Sequence, residues 1–557
     1  MINSNETYKT SLYTIFIPLG AETESNEWML VHGYTGAIDI VNNEIAGFLR
    51  KGGNLTPQMI QENLYPFNAK SLDSLVNRGY LTSKKPSEEK DWVQKLANHL
   101  HSKNKKGAGF VFLVAYDCNF RCPYCFENGI SNNGKGWSKK TFTKDSVDRA
   151  FEAMLEIEPE RSKISNGIVL YGGEPLLKRN KELVEYMIHK GLDNNFKFSA
   201  ITNGYELQHY QHLLSPDKIN QLQITVDGPK RIHDTRRTHF EDGSSYEQIM
   251  ENIEMCLKQG VFISIRVNTE VNNFENLFEL KEDFMKRGFY EFKNFSVYSG
   301  LIHGEEEMSC NVVMTSGKSQ EKAEKYTKAF QKLTPIDYGV YNPDAQYINF
   351  DAEDTRYTNN TIQFHYDDTG APDSEIIRTM NRAEYMNKFK DALAKDPELK
   401  ISCQDFGLQS KIKHVIGGNN LFNFVSTFCG AQTGMYILDP CGDIYACWEL
   451  VGQDEYIVGS YKDKIEFDEE ALAKWQGKNI SKVDACSKCK YAFFCGGGCM
   501  AGALREGRGY NSPHCDGYPK LFQQIVPETY FKCMEEKEKI KNGELEKLID
   551  NVPEQII

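Results

Sequence analysis

Short apolar runs alternate with amphipathic stretches from Phe110 to about Gly300. The apolar runs have the length and composition of buried strands, and apolar residues in the intervening stretches recur at helical spacing. Six strand and helix units in this order predict an α/β fold in which helices cover a parallel sheet. Strands are predicted near residues 110–116, 167–171, 196–201, 222–226, 262–267 and 292–297, and helices near 146–157, 182–190, 246–258 and 276–287.

The first hundred residues follow another pattern. Two apolar runs around a turn at Gly33 to Gly36 predict a hairpin, and three amphipathic stretches predict helices after it. This order resembles winged-helix peptide-recognition modules. The alternatives are a structural cap and a DNA-binding module, and the latter is disfavoured because Lys and Arg do not cluster here. The apolar runs are 28–32 and 37–41, and the helical stretches lie near 43–49, 56–63 and 72–78.

The remaining chain suggests further divisions. A charged, Lys-rich stretch before the barrel predicts a solvated helix and linker, and a polar, Asp- and Asn-rich region after it is either a substrate-covering element or a packing insertion. The expected divisions are 1–85 for the winged-helix-like module, 86–106 for the linker helix, 107–300 for the barrel, 301–425 for a bridging insertion, 426–520 for a cysteine-rich domain and 521–557 for a terminal helix.

Length and charge narrow the class of protein. A chain of 557 residues is expected to form two to four domains. Its 78 acidic and 65 basic residues give a net charge of −13, which argues against nucleic acid as a partner. No stretch approaches the roughly 20 apolar residues that a membrane span needs, and the amino terminus does not resemble a signal peptide. We therefore expect a cytoplasmic protein without a membrane partner.

The chain contains 15 cysteines, an odd number. In a large chain without a targeting sequence, reduced and metal-bound thiolates are more plausible than a disulfide framework. Eleven of them fall into two groups, and Cys256, Cys310, Cys403 and Cys533 lie outside both. We interpret Cys256, which lies in a predicted helix, as a small buried hydrophobic residue.

The first group follows the first predicted barrel strand. Cys118, Cys122 and Cys125 form a CxxxCxxC motif and offer three thiolates in one short loop. Three thiolates leave one iron of a four-iron cluster open to another ligand. A zinc site would require a fourth protein ligand or an open position filled by water, and a loop of structural cysteines is the other alternative.

This motif, placed after the first strand of a βα barrel, resembles radical S-adenosylmethionine (SAM) enzymes. The resemblance implies a partial (β/α)6 barrel in which the three cysteines hold a four-iron cluster whose open iron binds the amino and carboxylate groups of SAM. It also implies reductive cleavage of SAM to a 5′-deoxyadenosyl radical, which removes a hydrogen atom from a substrate carbon. An external reductant such as flavodoxin or ferredoxin is expected as a partner.

The segment that ends the second predicted strand, Tyr171-Gly172-Gly173-Glu174-Pro175, resembles the methionine-binding segment of that family. Glycines allow the backbone to approach a ligand closely, and a carboxylate pairs with an amine. The resemblance implies that Gly173 and Glu174 contact SAM. On its own, the segment would be a common turn.

Three further segments supply predicted SAM contacts. Thr225 and Arg237 match the positions that contact the ribose and carboxylate of SAM, and an Arg fork suits a carboxylate. Tyr124 matches the ring beside the adenine. Asn203 at the third strand end is a weaker candidate, because a turn residue is the simpler explanation.

The second cysteine group resembles the SPASM extension of radical SAM enzymes, which holds two auxiliary four-iron clusters. With the first cluster this implies three in total. Zinc knuckles are the alternative for this region alone. Cys441 is our candidate for a fourth ligand of the second set, and otherwise it is a free thiol and that iron is open. The resemblance assigns Cys486, Cys489, Cys495 and Cys515 to one cluster, and Cys429, Cys447 and Cys499 to the other.

SPASM enzymes act mostly on peptides or proteins. Sulfatase-maturing members carry Asp directly after the cysteine that Cys447 matches, whereas this chain has Trp448 and then Glu449. This difference and the amino-terminal module favour a ribosomal-peptide maturase that forms a thioether or carbon–carbon crosslink in a precursor peptide. The alternatives are a formylglycine-forming sulfatase-maturing enzyme and a noncatalytic metal-binding scaffold. The sequence assigns no catalytic acid or base.

Overall fold

The amino-terminal part of the computed structural model is a three-stranded antiparallel sheet followed by helices. The predicted hairpin is confirmed, because the strands before and after Gly33 to Gly36 pair antiparallel. A polar residue caps each of the three helices, as local sequence requires. The structure describes residues 2–19, 27–122, 124–125, 140–302, 312–314, 376–378, 380, 382–416 and 424–543. The strands are Lys9–Thr10, Thr14–Pro18, Glu27–His32, Ile38–Asn42 and Leu81–Thr82, and the helices are Asn43–Arg50, Pro57–Gln61 and Ala69–Asn77.

The helix Pro86–Asn104 follows this module. The predicted helix is confirmed, but the expectation of a solvated linker is wrong along one face. Val93 and Ala97 are buried at four-residue spacing and pack against the carboxyl-terminal cysteine region. One turn further, the Nε2 atom of His101 lies 3.0 Å from the carbonyl oxygen of Gln432. The many lysines occupy the other faces, which is why composition alone suggested solvation.

The predicted parallel barrel is confirmed. Six strands pair in parallel in chain order and form the centre of an eleven-stranded sheet. The first to sixth barrel strands are Ala108–Ala115, Ile164–Gly172, Lys197–Thr202, Ile219–Thr225, Phe262–Thr269 and Phe295–Leu301. The helical segments between them are Lys144–Ile157, Arg161–Lys163, Lys178–Asn180, Lys181–Asp193, Leu207–Leu213, Lys230–Arg236, Tyr246–Lys258, Phe274–Asn276, Leu277–Lys286 and Phe289–Glu291.

The two faces of the barrel strands differ, as the two-residue period of a strand requires. Outward-facing residues such as Leu170, Phe198 and Ile265 are fully buried under the helices. Inward-facing residues such as Val169 and Ile201 keep a partly accessible surface. Burial on the inner face is therefore uneven, because other inward-facing residues, such as Leu113 and Ser264, are buried.

Short strands extend the barrel sheet at both edges. Ser402–Cys403 pairs in parallel with the sixth barrel strand, and Met435–Leu438 pairs in parallel with the first. Antiparallel strands Asp443–Tyr445, Ile457–Ser460 and Glu466–Phe467 complete the second edge. Most of the predicted insertion lies outside the described residues, which there include strands Val312–Met314 and Ile376–Arg378 and helices Arg382–Lys395 and Leu408–Ile416.

Short helices carry the carboxyl-terminal cysteines, and one long helix follows them. The predicted terminal helix is found at Tyr518–Lys541, whereas residues 544–557 lie outside the described part. None of the described helices combines the length and apolar character needed to cross a bilayer. The remaining helices and turns are Gly430–Gln432, Trp448–Leu450, Asp454–Tyr456, Glu469–Gln476, Asp484–Ser487, Ala492–Cys495 and Met500–Arg505.

Candidate active site

The CxxxCxxC loop lies at the carboxyl end of the first barrel strand and brings its three thiols together. Burial raises the pKa of the Cys118 thiol, and the charges of Glu174, Cys122 and Cys125 raise it further. Burial also raises the pKa of the Cys122 thiol. Thiols in such surroundings resist ionisation unless a cation or hydrogen-bond donors stabilise the thiolate.

Hydrogen-bond donors point at the Cys118 sulfur. The backbone nitrogen of Phe120 donates to it at 3.3 Å, and the side-chain nitrogen of Asn203 lies 3.9 Å from it. The same Asn203 nitrogen donates to Oδ1 of Asn119 at 2.7 Å. Asn203, the weakest of the predicted contacts, therefore touches the cysteine loop directly, and its role extends beyond that of a turn residue.

Gly173 and Glu174 lie beside this loop at the end of the second barrel strand. A Cβ atom on Gly173 would lie 2.6 Å from the carbonyl oxygens of Tyr116 and Asp117, so the backbone crossing leaves no room for a side chain. Glu174 is 1% exposed and accepts hydrogen bonds from the backbone nitrogen of Asn203 at 2.6 Å and from the Thr202 hydroxyl at 2.7 Å. Burial nevertheless raises the pKa of Glu174 to about 7.

Tyr124 connects the cysteine loop to the end of the fourth barrel strand. Its hydroxyl donates to the carboxylate of Asp227, which is fully buried. The same hydroxyl accepts hydrogen bonds from Arg237 Nη1 at 3.0 Å and from Asn268 Nδ2 at 3.3 Å. The loop is thus held by a tyrosine that three separate segments of the barrel contact.

Arg237 donates to the Tyr124 hydroxyl and also carries an N–H group that no described residue accepts. The side chain is buried, and its Nε atom has no hydrogen-bond partner among the described residues. An enclosed guanidinium N–H without an acceptor is costly, so the position fits an anionic ligand such as the carboxylate of SAM. Thr225, the other predicted contact in this region, ends the fourth strand and is also buried.

Sequence reasoning missed the ionic network beneath Tyr124. Arg236 lies 3.4 Å from Asp227 and 3.1 Å from Glu270, and all three side chains are buried. Asp227 and Arg236 stand directly beside residues that the family resemblance singled out. Glu270 follows the fifth strand with no recognisable motif, so only the fold reveals it.

The carboxyl-terminal cysteines lie near one another in two groups, with the same members as the two sets that the SPASM resemblance implied. Burial raises the pKa of the Cys447 thiol, and charges at Cys499, Glu449 and Cys429 raise it further. Burial likewise raises the pKa of the Cys486 thiol, together with charges at its neighbours. Those neighbours are Cys489, Cys515 and Cys495.

Interleaving of the two sets depends on the glycines before Cys499. Gly498 has a φ of +78°, and a Cβ atom there would lie 1.8 Å from the carbonyl oxygen of His514. This close crossing lets Cys495 remain with one set while Cys499 joins the other. Cys499 then caps the next helix and accepts a hydrogen bond from the Gly502 nitrogen at 3.4 Å.

Cys441 lies in a different environment. Burial and the charges of Asp439 and Asp443 raise its pKa to about 12, although the Lys140 cation acts in the opposite direction. Its backbone nitrogen donates to Oδ1 of Asp439 at 2.9 Å within the turn. Its role as a fourth ligand stays a prediction.

Glu449 and Trp448 take separate positions after Cys447. Arg505 Nη1 donates to the Glu449 carboxylate at 2.6 Å, and Arg505 Nη2 donates to its backbone carbonyl at 2.9 Å. The Trp448 ring lies 5.5 Å from the ring of Tyr171, at the end of the second barrel strand. Glu449 is therefore held in a double contact, and Trp448 packs toward the barrel.

The cysteine sulfurs of these sets are the kind of ligand that a four-iron cluster takes. In the described part of the chain, no three His, Cys, Asp or Glu side chains form a site for a single metal ion. Each iron of a four-iron cluster takes its own cysteine, so such ligands are spread more widely than those of one ion. Backbone nitrogens donate to Cys118, Cys489 and Cys499 sulfurs at 3.3 to 3.4 Å, which favours thiolates.

Residues 112–282 match the family model of the radical SAM superfamily. This range contains the end of the first barrel strand, the CxxxCxxC loop and the second to fifth barrel strands. The parallel barrel of this protein is therefore a radical SAM domain, as the motif predicted.

A cysteine-type anaerobic sulfatase-maturating enzyme of Clostridium novyi (strain NT) is 27% identical over 181 residues, which cover 31% of this chain. The match covers 46% of that protein, so the chain spans about half the length of this curated relative. The structure of anSMEcpe with bound AdoMet and Cp18Cys peptide has a TM-score of 0.48 at 15% identity and covers 77% of this chain and 99% of that chain. The structure of Streptococcus suis SuiB bound to precursor peptide SuiA has a TM-score of 0.42 at 12% identity and covers 91% of this chain and 98% of that chain.

Proposed function

We propose that this protein is a radical SAM peptide maturase that removes a hydrogen atom from a ribosomal precursor peptide and forms a thioether or carbon–carbon crosslink in it. One observation carries the proposal: Cys118, Glu174 and Arg237 converge at the carboxyl ends of parallel strands in a radical SAM domain. When bound to the three-thiol loop, a four-iron cluster with SAM would supply a 5′-deoxyadenosyl radical.

The protein's own residues would bind and orient SAM. Glu174 offers a carboxylate for its ammonium group, and Arg237 offers a guanidinium for its carboxylate. Tyr124 holds the cysteine loop against Asp227 and would form one wall beside the adenine. These groups lie after the first, second and fourth strands of one sheet, so one rigid scaffold sets their spacing.

The inner side of the barrel would receive a substrate that enters from the strand ends. The first and second strands present apolar residues on that side, including Val111, Leu113 and Tyr171, with Trp448 packed beside them. An apolar wall excludes water from a reacting side chain and suits part of a peptide. The amino-terminal module is proposed to hold the rest of the precursor.

The two carboxyl-terminal thiol sets would hold auxiliary four-iron clusters. Crosslinking removes two hydrogens from the peptide. One leaves as a hydrogen atom and forms 5′-deoxyadenosine, and the other leaves as a proton and an electron. Clusters held by these cysteines would offer an acceptor for that electron, and a small reductant such as flavodoxin or ferredoxin would supply the electron that cleaves SAM.

Anaerobic reconstitution tests the proposal. The protein should bind about twelve irons, cleave SAM to 5′-deoxyadenosine and lower the mass of the peptide encoded by the neighbouring short reading frame by about 2 Da per crosslink. Replacing Cys118, Cys122 and Cys125 by Ala should abolish SAM cleavage, whereas Cys256→Ala, at a buried helix position, should retain it. An unchanged peptide mass despite SAM cleavage would contradict peptide crosslinking.

Sulfatase maturation is the second candidate, and the curated relative of that activity favours it. The Asp of that subgroup is replaced by Trp448, and the nearby Glu449 is bound by Arg505. Incubation with a Cys-containing sulfatase peptide distinguishes the two, because formylglycine formation replaces the thiol by an aldehyde. A noncatalytic zinc scaffold would instead be colourless and would release no 5′-deoxyadenosine.

A further inference from the structure

Arg266 lies on the inner face of the fifth barrel strand, between the fourth and sixth strands. It pairs in register with Thr225 on one side and Tyr298 on the other. Its side chain is surrounded by protein atoms and still keeps a partly accessible surface, as expected for a residue that lines an internal space. A Cβ atom on Gly300 would lie 3.2 Å from its guanidinium carbon, so a glycine leaves room for the group.

The described contacts of Arg266 are with neutral groups. Nε donates to Oδ1 of Asn268 at 2.7 Å, and Nη2 donates to the carbonyl oxygen of Leu301 at 3.3 Å. The Tyr298 hydroxyl is a third partner and itself donates to Oε1 of Gln223 at 2.8 Å. A guanidinium has five N–H donors, so these contacts leave donors available.

Arg266 forms no ion pair with any carboxylate in the part of the chain that the structure describes. Glu449 contributes to the field at Arg266 from beyond ion-pair distance, and its carboxylate is bound by Arg505. Three other enclosed arginines are paired at 3.2 Å or less: Arg236 with Glu270, Arg382 with Asp516 and Arg505 with Glu449. An enclosed cation without a counter-charge is costly, so this position calls for an anion.

The inner face of the fifth and sixth strands is polar around Arg266. Ser264 and Ser296 lie two residues below Arg266 and Tyr298 on the same inner face and pair in register. Both hydroxyls are buried without a hydrogen-bond partner among the described residues. The opposite wall, from the first and second strands, is apolar. The inner face of the barrel thus offers a cation and two hydroxyls without partners among the described residues on one side, and apolar side chains on the other.

We propose that Arg266 binds a carboxylate of the substrate, so that the peptide carries an Asp or Glu side chain, or its terminal carboxylate, next to the residue that is modified. The inference rests on the proposed function, because it places the peptide in the barrel. Asn268 bridges Arg266 and Tyr124, with 2.7 Å to Arg266 Nε and 3.3 Å to the Tyr124 hydroxyl. The bound carboxylate would therefore lie one side chain away from the predicted SAM site.

SAM is the other source of a carboxylate in this site. Arg237 is the better partner for it, because Arg237 contacts Tyr124 directly and has an unpaired Nε. Arg266 reaches Tyr124 only through Asn268, deeper along the strand. We therefore expect Arg237 to bind the carboxylate of SAM and Arg266 to bind a carboxylate of the substrate.

Two short probes test the proposal without knowledge of the natural peptide. The acetylated tripeptide amides Gly-Asp-Gly and Gly-Asn-Gly are titrated into SAM-loaded, anaerobically reconstituted full-length protein and followed by ligand-observed NMR. We expect the Asp probe to bind at least about tenfold more tightly than its neutral isostere, as a charge-assisted bidentate contact does. Equal binding of the two probes by the unmodified protein overturns the proposal, and this comparison does not depend on any variant folding.

Variants then assign the preference to Arg266. Arg266→Gln should remove the preference for the Asp probe, and Arg266→Lys should keep part of it. The control Arg231→Gln, at a side chain that is 60% exposed on an outer helix, should retain it fully. If Arg266→Gln still prefers the Asp probe, the proposal is overturned. It is also overturned if this substitution weakens only the binding of SAM. Loss of the proposed function is a separate outcome, because it is measured as the mass of the precursor peptide.

Discussion

The side-chain nitrogen of Asn203 lies 3.9 Å from the sulfur of Cys118. The backbone nitrogen of the same Asn203 donates to the carboxylate of Glu174 at 2.6 Å. One residue at the end of the third barrel strand therefore contacts both the cysteine loop and the carboxylate predicted to bind the amine of SAM. Substitution of Asn203 should therefore affect both the cysteine loop and the predicted binding of the SAM amine by Glu174.

Replacing Asn203 by Ala removes a donor near a cluster ligand. Donors to ligand sulfurs favour the reduced cluster, so Asn203→Ala should lower the reduction potential of the SAM-binding cluster by on the order of tens of millivolts. Redox titration followed by EPR measures the shift. The matched control Asn166→Ala, at an exposed position of the second barrel strand, should leave the potential unchanged. A potential that is the same in both variants would contradict the contact.

Affinity for SAM should depend on pH through Glu174. Because burial raises its pKa to about 7, this carboxyl group is neutral below that pH and charged above it. Binding of an ammonium group needs the charged form, so SAM affinity should rise about tenfold from about pH 6 to pH 8. Anaerobic calorimetry of the wild type and Glu174→Gln measures it. The variant should bind weakly and lose this part of the pH dependence, and an identical pH profile would argue against the role.

Tyr124→Phe tests the hydroxyl that joins the cysteine loop to the barrel. The change removes contacts with Asp227, Arg237 and Asn268 at once and leaves Asp227 with fewer donors. We expect SAM affinity to fall about tenfold, since the loss of a hydrogen bond to a buried charged group costs about 1.5 to 3 kcal/mol. The control Tyr186→Phe removes a tyrosine contact to Asp148 at 2.6 Å away from the site and should not change SAM affinity.

The Glu449–Arg505 pair should stabilise the contact between the segments that carry Cys447 and Cys499. The side chains are 28% and 11% exposed and contact at 2.6 Å, so removal of one partner leaves a poorly solvated charge. Arg505→Met should lower the free energy of unfolding by about 1 to 3 kcal/mol, and adding Glu449→Gln should recover part of it. Chemical denaturation of the reconstituted protein measures both.

An exposed ion pair provides the control for that cycle. Lys258 and Glu254 contact at 2.5 Å with side chains that are 64% and 49% exposed. Lys258→Met should change the free energy of unfolding by less than about 0.5 kcal/mol, because water screens the pair. If Arg505→Met and Lys258→Met lower the free energy of unfolding equally, then burial does not make the Glu449–Arg505 pair more stabilising than an exposed pair.

Periodicity alone located the six barrel strands and most of their helices. Local spacing also placed Cys118, Cys122 and Cys125 at a strand end, where the structure has them. These features could be predicted because the periodicity of apolar residues over a short stretch indicates a strand or a helix. The helix Pro86–Asn104 shows the limit, since its lysine content masked a narrow apolar stripe.

The sequence by itself determined the order of strands and helices and the CxxxCxxC motif, whereas the division of the other cysteines into two sets came from the resemblance to SPASM enzymes. The tertiary structure decided that Asn203 touches Cys118, that Tyr124 meets Asp227, and that Arg266 stands in the barrel without a carboxylate partner among the described residues. Such relationships join residues that are far apart in the chain, and no local pattern encodes them. They arise because parallel pairing brings the ends of successive strands to one edge, where side chains from separate segments meet.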